Sequence, residues 1–142
     1  ASAARSAPGA LPAPLAAPAL LRRARLCHGH LGGELAAQLY QRMVQAGWIK
    51  RHEQRTDVTL KGTQHLAGLG IFTQALASPL VCDCFDWSQQ QPHLGGALGA
   101  GLLRLFLQSN WISAINESRA LLVSKTGLSE IARLAAPEPL GA

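Results

Sequence analysis

Apolar and polar positions follow two different periods along this chain, and the same succession of periods occurs twice. Leu31, Leu35, Leu39, Met43 and Val44 fall mostly four apart, with Glu34, Gln38, Gln41 and Arg42 between them. That stripe predicts an amphipathic helix headed by His30 and closed by Gly47. Beyond it, Trp48-Ile49 and Val58-Thr59-Leu60 flank the charged stretch Lys50 to Asp57, the pattern of a short hairpin with a solvated tip. Thr59 is placed to cap a closing helix that runs towards Leu69. A helix, a two-stranded wing and a capped helix make up the second half of a winged-helix unit.

The second occurrence begins 63 residues later. His30 to Ile49 aligns without a gap on His93 to Ile112, and ten of the twenty positions are identical. Past the tryptophans the offset becomes 65, pairing Val58-Thr59 and Gly62 with Val123-Ser124 and Gly127. The two extra residues between Trp111 and Val123 predict a longer loop tip. Dense self-similarity of this kind predicts two copies of one module. The expected fold is therefore mainly α with small β-hairpins (α+β): two tandem winged-helix-like repeats over 22–77 and 78–136, packed through the helices headed by His30 and His93.

Residues 1–20 hold nine alanines and four prolines and no acid, which predicts a linker over 1–21; residues 137–142 read as a tail. The chain opens on Ala1 and has one methionine, Met43, so a segment upstream is expected to have been removed. The most apolar run, Leu94 to Leu107, is broken by Arg104 and is too short for a membrane span. No phosphate-binding glycine loop and no recognisable nucleophile setting occurs, so catalysis is not expected.

Charge adds an asymmetry. Residues 1–65 carry nine Lys/Arg against three Asp/Glu, and residues 66–142 carry four against five. If either copy touches DNA it is the first, through Arg42, Lys50, Arg51 and Arg55; the plainer reading is a hairpin tip that is charged because it is solvated. The second helix, with Leu102, Leu103, Leu105, Phe106 and Leu107, reads as a packing surface against the first copy or another subunit.

Cys27-His28-Gly29-His30-Leu31-Gly32-Gly33, Cys84-Phe85-Asp86-Trp87-Ser88, Pro92-His93-Leu94-Gly95-Gly96, Trp111 and Ser118-Arg119-Ala120 together resemble the C-terminal half of a subgroup of bacterial ArsR-like (arsenic-repressor-type) transcriptional regulators. The resemblance covers roughly residues 20 to 135. It departs in the context of Gly33 and Gly96, Leu-Gly-Gly where Leu-Ala-Gly is usual, and at His28, where an aromatic is. It implies a winged-helix DNA-binding domain upstream, a homodimer that binds DNA as the full-length protein, and a cytoplasmic repressor. The chain itself is then the dimerisation or effector-sensing region; the alternatives are direct DNA binding by the basic first copy, or a zinc- or thiol-based sensor module.

The cytoplasm that the resemblance implies keeps thiols reduced, and three cysteines are an odd number for a disulfide framework. Cys27-x-x-His30 places a thiol and an imidazole one helical turn apart, and Cys84-x-Asp86 precedes His93, the counterpart of His30. A pseudo-two-fold pairing of the copies would bring Cys27, His30, Cys84 and His93 together, with Asp86 as ligand or supporting acceptor, around zinc or another thiophilic ion. Against this, buried cysteines and helix-capping histidines are also ordinary packing residues. Trp48 and Trp111 read as core anchors. Trp87 either lines a ligand pocket or closes the seam between the copies.

Overall fold

The computed structural model describes residues 19–53 and 55–137. The expected linker and tail fall outside these except at their inner edges, where residues 19–23 are helical. The fold is α+β: four long helices and four separate two-stranded antiparallel sheets among the described residues. Each half of the chain runs hairpin, helix, hairpin, helix. The first has β1 (Arg25–Cys27), β2 (His30–Gly32), α1 (Glu34–Gln45), β3 (Ile49–Arg51), β4 (Thr56–Val58) and α2 (Leu60–Gly68). The second has β5 (Cys82–Asp86), β6 (Gln91–Gly95), α3 (Gly96–Gln108), β7 (Ile112–Ala114), β8 (Leu121–Val123) and α4 (Lys125–Arg133).

One expectation is overturned at the same place in both halves. His30 and His93 do not head helices; they lie in the return strands β2 and β6, and the helices begin only at Glu34 and Gly96. The β1–β2 hairpin turns on His28 and Gly29, both at positive φ (53° and 91°), the backbone of a two-residue turn that matches strand twist. Gly33 and Gly96 then make the strand-to-helix corner at φ 99° and 73°. A Cβ there would lie 2.8 Å from the carbonyl oxygen of Arg22 or Leu80, so the corner admits only glycine.

The wings follow the sequence closely. Thr59 and Ser124 cap α2 and α4, accepting from the backbone N–H of Gly62 (3.0 Å) and Gly127 (2.8 Å). The tip between β7 and β8 spans residues 115–120 against 52–55 in the first wing, which locates the two extra residues. That longer tip folds back on β1, where Leu26 N–H donates to the Arg119 carbonyl at 2.7 Å.

Across the seam α1 lies chiefly on β6 and α3 on β2, and α1 also touches α4, so each half's first helix covers the other half's strand. Leu31, Leu35 and Leu39 meet Leu94, Leu98, Leu102 and Phe106 in one shared buried cluster. Of the apolar run in α3, Arg104, Leu107 and Gln108 reach solvent. Trp48 is buried and stacks on His65 (ring centroids 4.8 Å apart); Trp111 is half-buried against Phe106.

Arg42 also crosses between the halves. Its Nε donates to the Leu134 carbonyl (3.0 Å) and its Nη2 to that of Ile131 (2.7 Å), satisfying the C-terminal carbonyls of α4, where positive charge is favoured. The guanidinium is thereby engaged by carbonyls of the chain itself. Arg42→Met is expected to cost about 1–2 kcal/mol in urea unfolding; an unchanged midpoint would show the clamp to be idle.

Candidate metal centre at the seam between the halves

Cys27 pairs with His30 across the first hairpin, and Cys84 with His93 across the second. The thiol and imidazole expected one helical turn apart are therefore cross-strand neighbours, close enough to share one ligand. Stacking of β2 on β6 brings the two pairs together. All four potential ligand atoms lie within 4.8 Å of one another, with Cys27 Sγ 3.7 Å from Cys84 Sγ and His30 Nε2 3.0 Å from His93 Nε2.

Glycine allows this approach. A Cβ at Gly32 would stand 3.2 Å from Cε1 of His93, and one at Gly95 would stand 3.4 Å from Cε1 of His30. Each imidazole lies over the glycine two residues beyond the other.

Asp86 supports the centre from behind. Fully buried, it accepts from His93 Nδ1 (2.7 Å), from the Gly33 N–H (2.6 Å), from Arg25 Nη2 (2.9 Å) and from the Ser88 hydroxyl (2.6 Å). Burial alone would raise its pKa, but the hydrogen bonds from Ser88, Arg25, Gly33 and His93 together hold the carboxyl well below the usual carboxylate range. An ionised Asp86 assigns the proton of His93 to Nδ1 and leaves the Nε2 lone pair facing His30.

Burial lowers His30 to about 4, helped by His93 and His28, and it lowers His93 against the pull of Asp86. Both imidazoles are thus neutral at physiological pH, as metal ligation requires. Burial, then Cys27, raises the Cys84 thiol to about 11.

The donor set fits tetrahedral zinc. Zn–S bonds of about 2.3 Å and Zn–N bonds of about 2.0–2.1 Å imply tetrahedral edges of about 3.8 Å between sulfurs and about 3.3 Å between nitrogens, against 3.7 and 3.0 Å here. These two edges come within a few tenths of an ångström of that geometry, and the whole set spreads to within 4.8 Å.

Other candidate residues lie elsewhere. Trp87 is half-exposed, covers the Arg25 guanidinium at 4.3 Å, and borders a cleft of about 510 Å³ with Leu21, Glu117, Ser118 and Arg119. Lys50, Arg51 and Arg55 are exposed on the first wing, where Arg55 and His52 pair with Asp57 and Arg51 lies 3.9 Å from Asp83. The pattern of the chain did not single out Arg25, which is 1% exposed. Nothing local sets it apart from Arg22 and Arg23, because its partner Asp86 lies in the other half. Asp83 was missed too. It accepts from Tyr40 and Thr56, each at 3.0 Å, and so ties β5 to α1 and the first wing.

With this arrangement in view, comparison with known proteins finds 32% identity over 110 residues with a Bacillus subtilis (strain 168) protein named uncharacterized HTH-type transcriptional regulator YdfF. This chain resembles a transcriptional regulator. The match takes in 75% of the chain and 49% of YdfF, so the chain spans about half the length of that curated relative. No protein-family model and no solved structure matches. Among the described residues, no helix is long and apolar enough to cross a membrane.

Proposed function

We propose that this chain is the effector-sensing and dimerisation region of an ArsR-like transcriptional repressor, with zinc or a similar thiophilic ion held by Cys27, His30, Cys84 and His93 as its sensing element. The observation that carries this reading is the convergence of two ligands from each half on one buried point. An ion there, when bound, would supply a cross-link between the halves. Asp86 fixes the tautomer and orientation of His93, and Arg25 and Ser88 hold Asp86 in turn. Occupancy then biases how the halves sit and hence how an upstream DNA-binding domain and a second copy are arranged.

Competition of the purified, reduced chain against a chromophoric zinc chelator tests the proposal. One ion per chain, bound more tightly than by the chelator, is expected. Binding no tighter than free histidine affords would overturn it. Asp86→Asn, which weakens the grip on His93 Nδ1 while keeping the shape, is expected to lower zinc affinity by about 10- to 100-fold. An unchanged affinity would make Asp86 a packing residue.

Exposure of Lys50, Arg51 and Arg55 favours a second reading, in which the first wing lies along DNA phosphates. Asp57 and Asp83 offset much of that charge. Fluorescence anisotropy of a labelled random duplex at low and physiological salt separates the two readings. The sensing reading expects no binding and no effect of Arg51→Ala with Arg55→Ala. Binding that falls steeply with salt, and falls again in that double variant, would move the function to the wing.

A further inference from the structure

We infer that Cys27 and Cys84 are an oxidation site: a hydroperoxide closes a disulfide between the two hairpins and expels the metal. This rests on the metal reading above and adds the chemistry by which the centre is switched.

The centre has two unlike sides. His93 is 0% exposed and His30 7%, whereas Cys27 and Cys84 are residues of intermediate exposure. The cysteine side is thus the more open to a small oxidant. The sulfurs already lie 3.7 Å apart, and a disulfide needs about 2.05 Å. No backbone hydrogen bonds join β1 to β5, which belong to separate sheets, so the two strands can approach without breaking a ladder. Exposed Cys82 is the competing partner. It lies two residues from Cys84 on one strand, where Cα atoms are about 6.6 Å apart and side chains point the same way, the outer limit for a disulfide. Cys27, facing Cys84 from the other half, is the better placed.

Ligation keeps both sulfurs deprotonated and hence nucleophilic. One thiolate attacks the terminal oxygen of the hydroperoxide, the O–O bond breaks, and a sulfenic acid forms as the alkoxide, or hydroxide from hydrogen peroxide, departs and takes a proton from solvent. The second thiolate attacks the sulfenic sulfur, the S–S bond forms, and the oxygen leaves as hydroxide, which a second solvent proton converts to water. Two electrons pass from the sulfur pair to the peroxide. The disulfide sulfurs carry no charge, and two imidazoles alone hold a zinc ion weakly.

The test is to load the reduced full chain with one equivalent of zinc, remove the excess, and add hydrogen peroxide. Zinc release to a chromophoric chelator is followed alongside alkylation and peptide mass mapping. Release in step with a Cys27–Cys84 linked peptide, undiminished in Cys82→Ser and reversed by a dithiol reductant with zinc, is expected. Zinc retained while Cys82 alone is oxidised would overturn the inference, as would release accompanied only by sulfinic acids or Cys82-linked products. A chain that takes up no zinc yet forms the Cys27–Cys84 link would sink the metal reading and keep the oxidation site. One that does neither would sink both.

Discussion

Cys84→Ser is expected to abolish stoichiometric zinc binding and the metal-dependent part of the melting temperature. A serine hydroxyl does not ionise at neutral pH and so does not replace the thiolate, and three remaining donors leave the ion open to water. Free zinc at about 1,000 times its dissociation constant adds roughly 4 kcal/mol to folding. For a domain of this size that is a rise of about 15 °C in Tm. The wild-type chain is therefore expected to melt about 15 °C higher with zinc than with chelator, and Cys84→Ser to melt alike in both. Calorimetry of the four samples checks this. A wild-type Tm that ignores the chelator would remove the centre from the account of stability, whatever the variant does.

Gly62→Ala and Gly127→Ala are each expected to destabilise the fold by about 3 kcal/mol or more. Both glycines lie in the first turn of a helix, where alanine would ordinarily gain up to about 1 kcal/mol. A Cβ at Gly62 would stand 2.0 Å from the Trp48 carbonyl oxygen, and one at Gly127 would stand 2.1 Å from that of Trp111. Those carbonyls are not free to withdraw. Trp48 O accepts from the Thr59 N–H at 2.9 Å and from its hydroxyl at 3.1 Å, and Trp111 O accepts from the Ser124 N–H at 2.9 Å. Wing and helix start are locked together through them. Gly68, in α2 with nothing within 4 Å of a Cβ position, is the control: Gly68→Ala is expected to be neutral or slightly stabilising. Urea midpoints for the three variants decide the matter, and equal midpoints would dissolve the argument.

The meeting of Cys27, His30, Cys84 and His93 was legible in part because His30 and His93 head identical tetrapeptides, with a cysteine three residues before the one and nine before the other. The caps at Thr59 and Ser124 were legible for a local reason, since a hydroxyl three residues before a glycine N–H satisfies the helix end whatever surrounds it. The strands β2 and β6 were not. Leu31 precedes Leu35 by four, so a short strand ahead of the helix keeps the helical phase, and periodicity reads it as one more turn. The turn at His28-Gly29 hid the first hairpin, because Asn-Gly and Asp-Gly, not His-Gly, are the usual signature of such a two-residue turn. Arg42 reads as part of a basic surface, and Arg25 is not singled out at all. Their partners lie 61 residues away at Asp86 and 89 and 92 away at Ile131 and Leu134, and a one-dimensional pattern carries no sign of them.

Strand β5 is gripped on both faces. Cys84 and Asp86 point to the seam, while Asp83, just before Cys84, reaches Tyr40 of α1 and Thr56 of the first wing. Alternation along a strand makes these opposite sides of one short rod. Thermodynamic reciprocity then applies to it: a partner whose binding displaces the wing through Asp83 must change the ion's affinity by the same factor by which the ion changes the partner's. A zinc titration and a partner titration on this chain would thus be two measurements of one coupling constant.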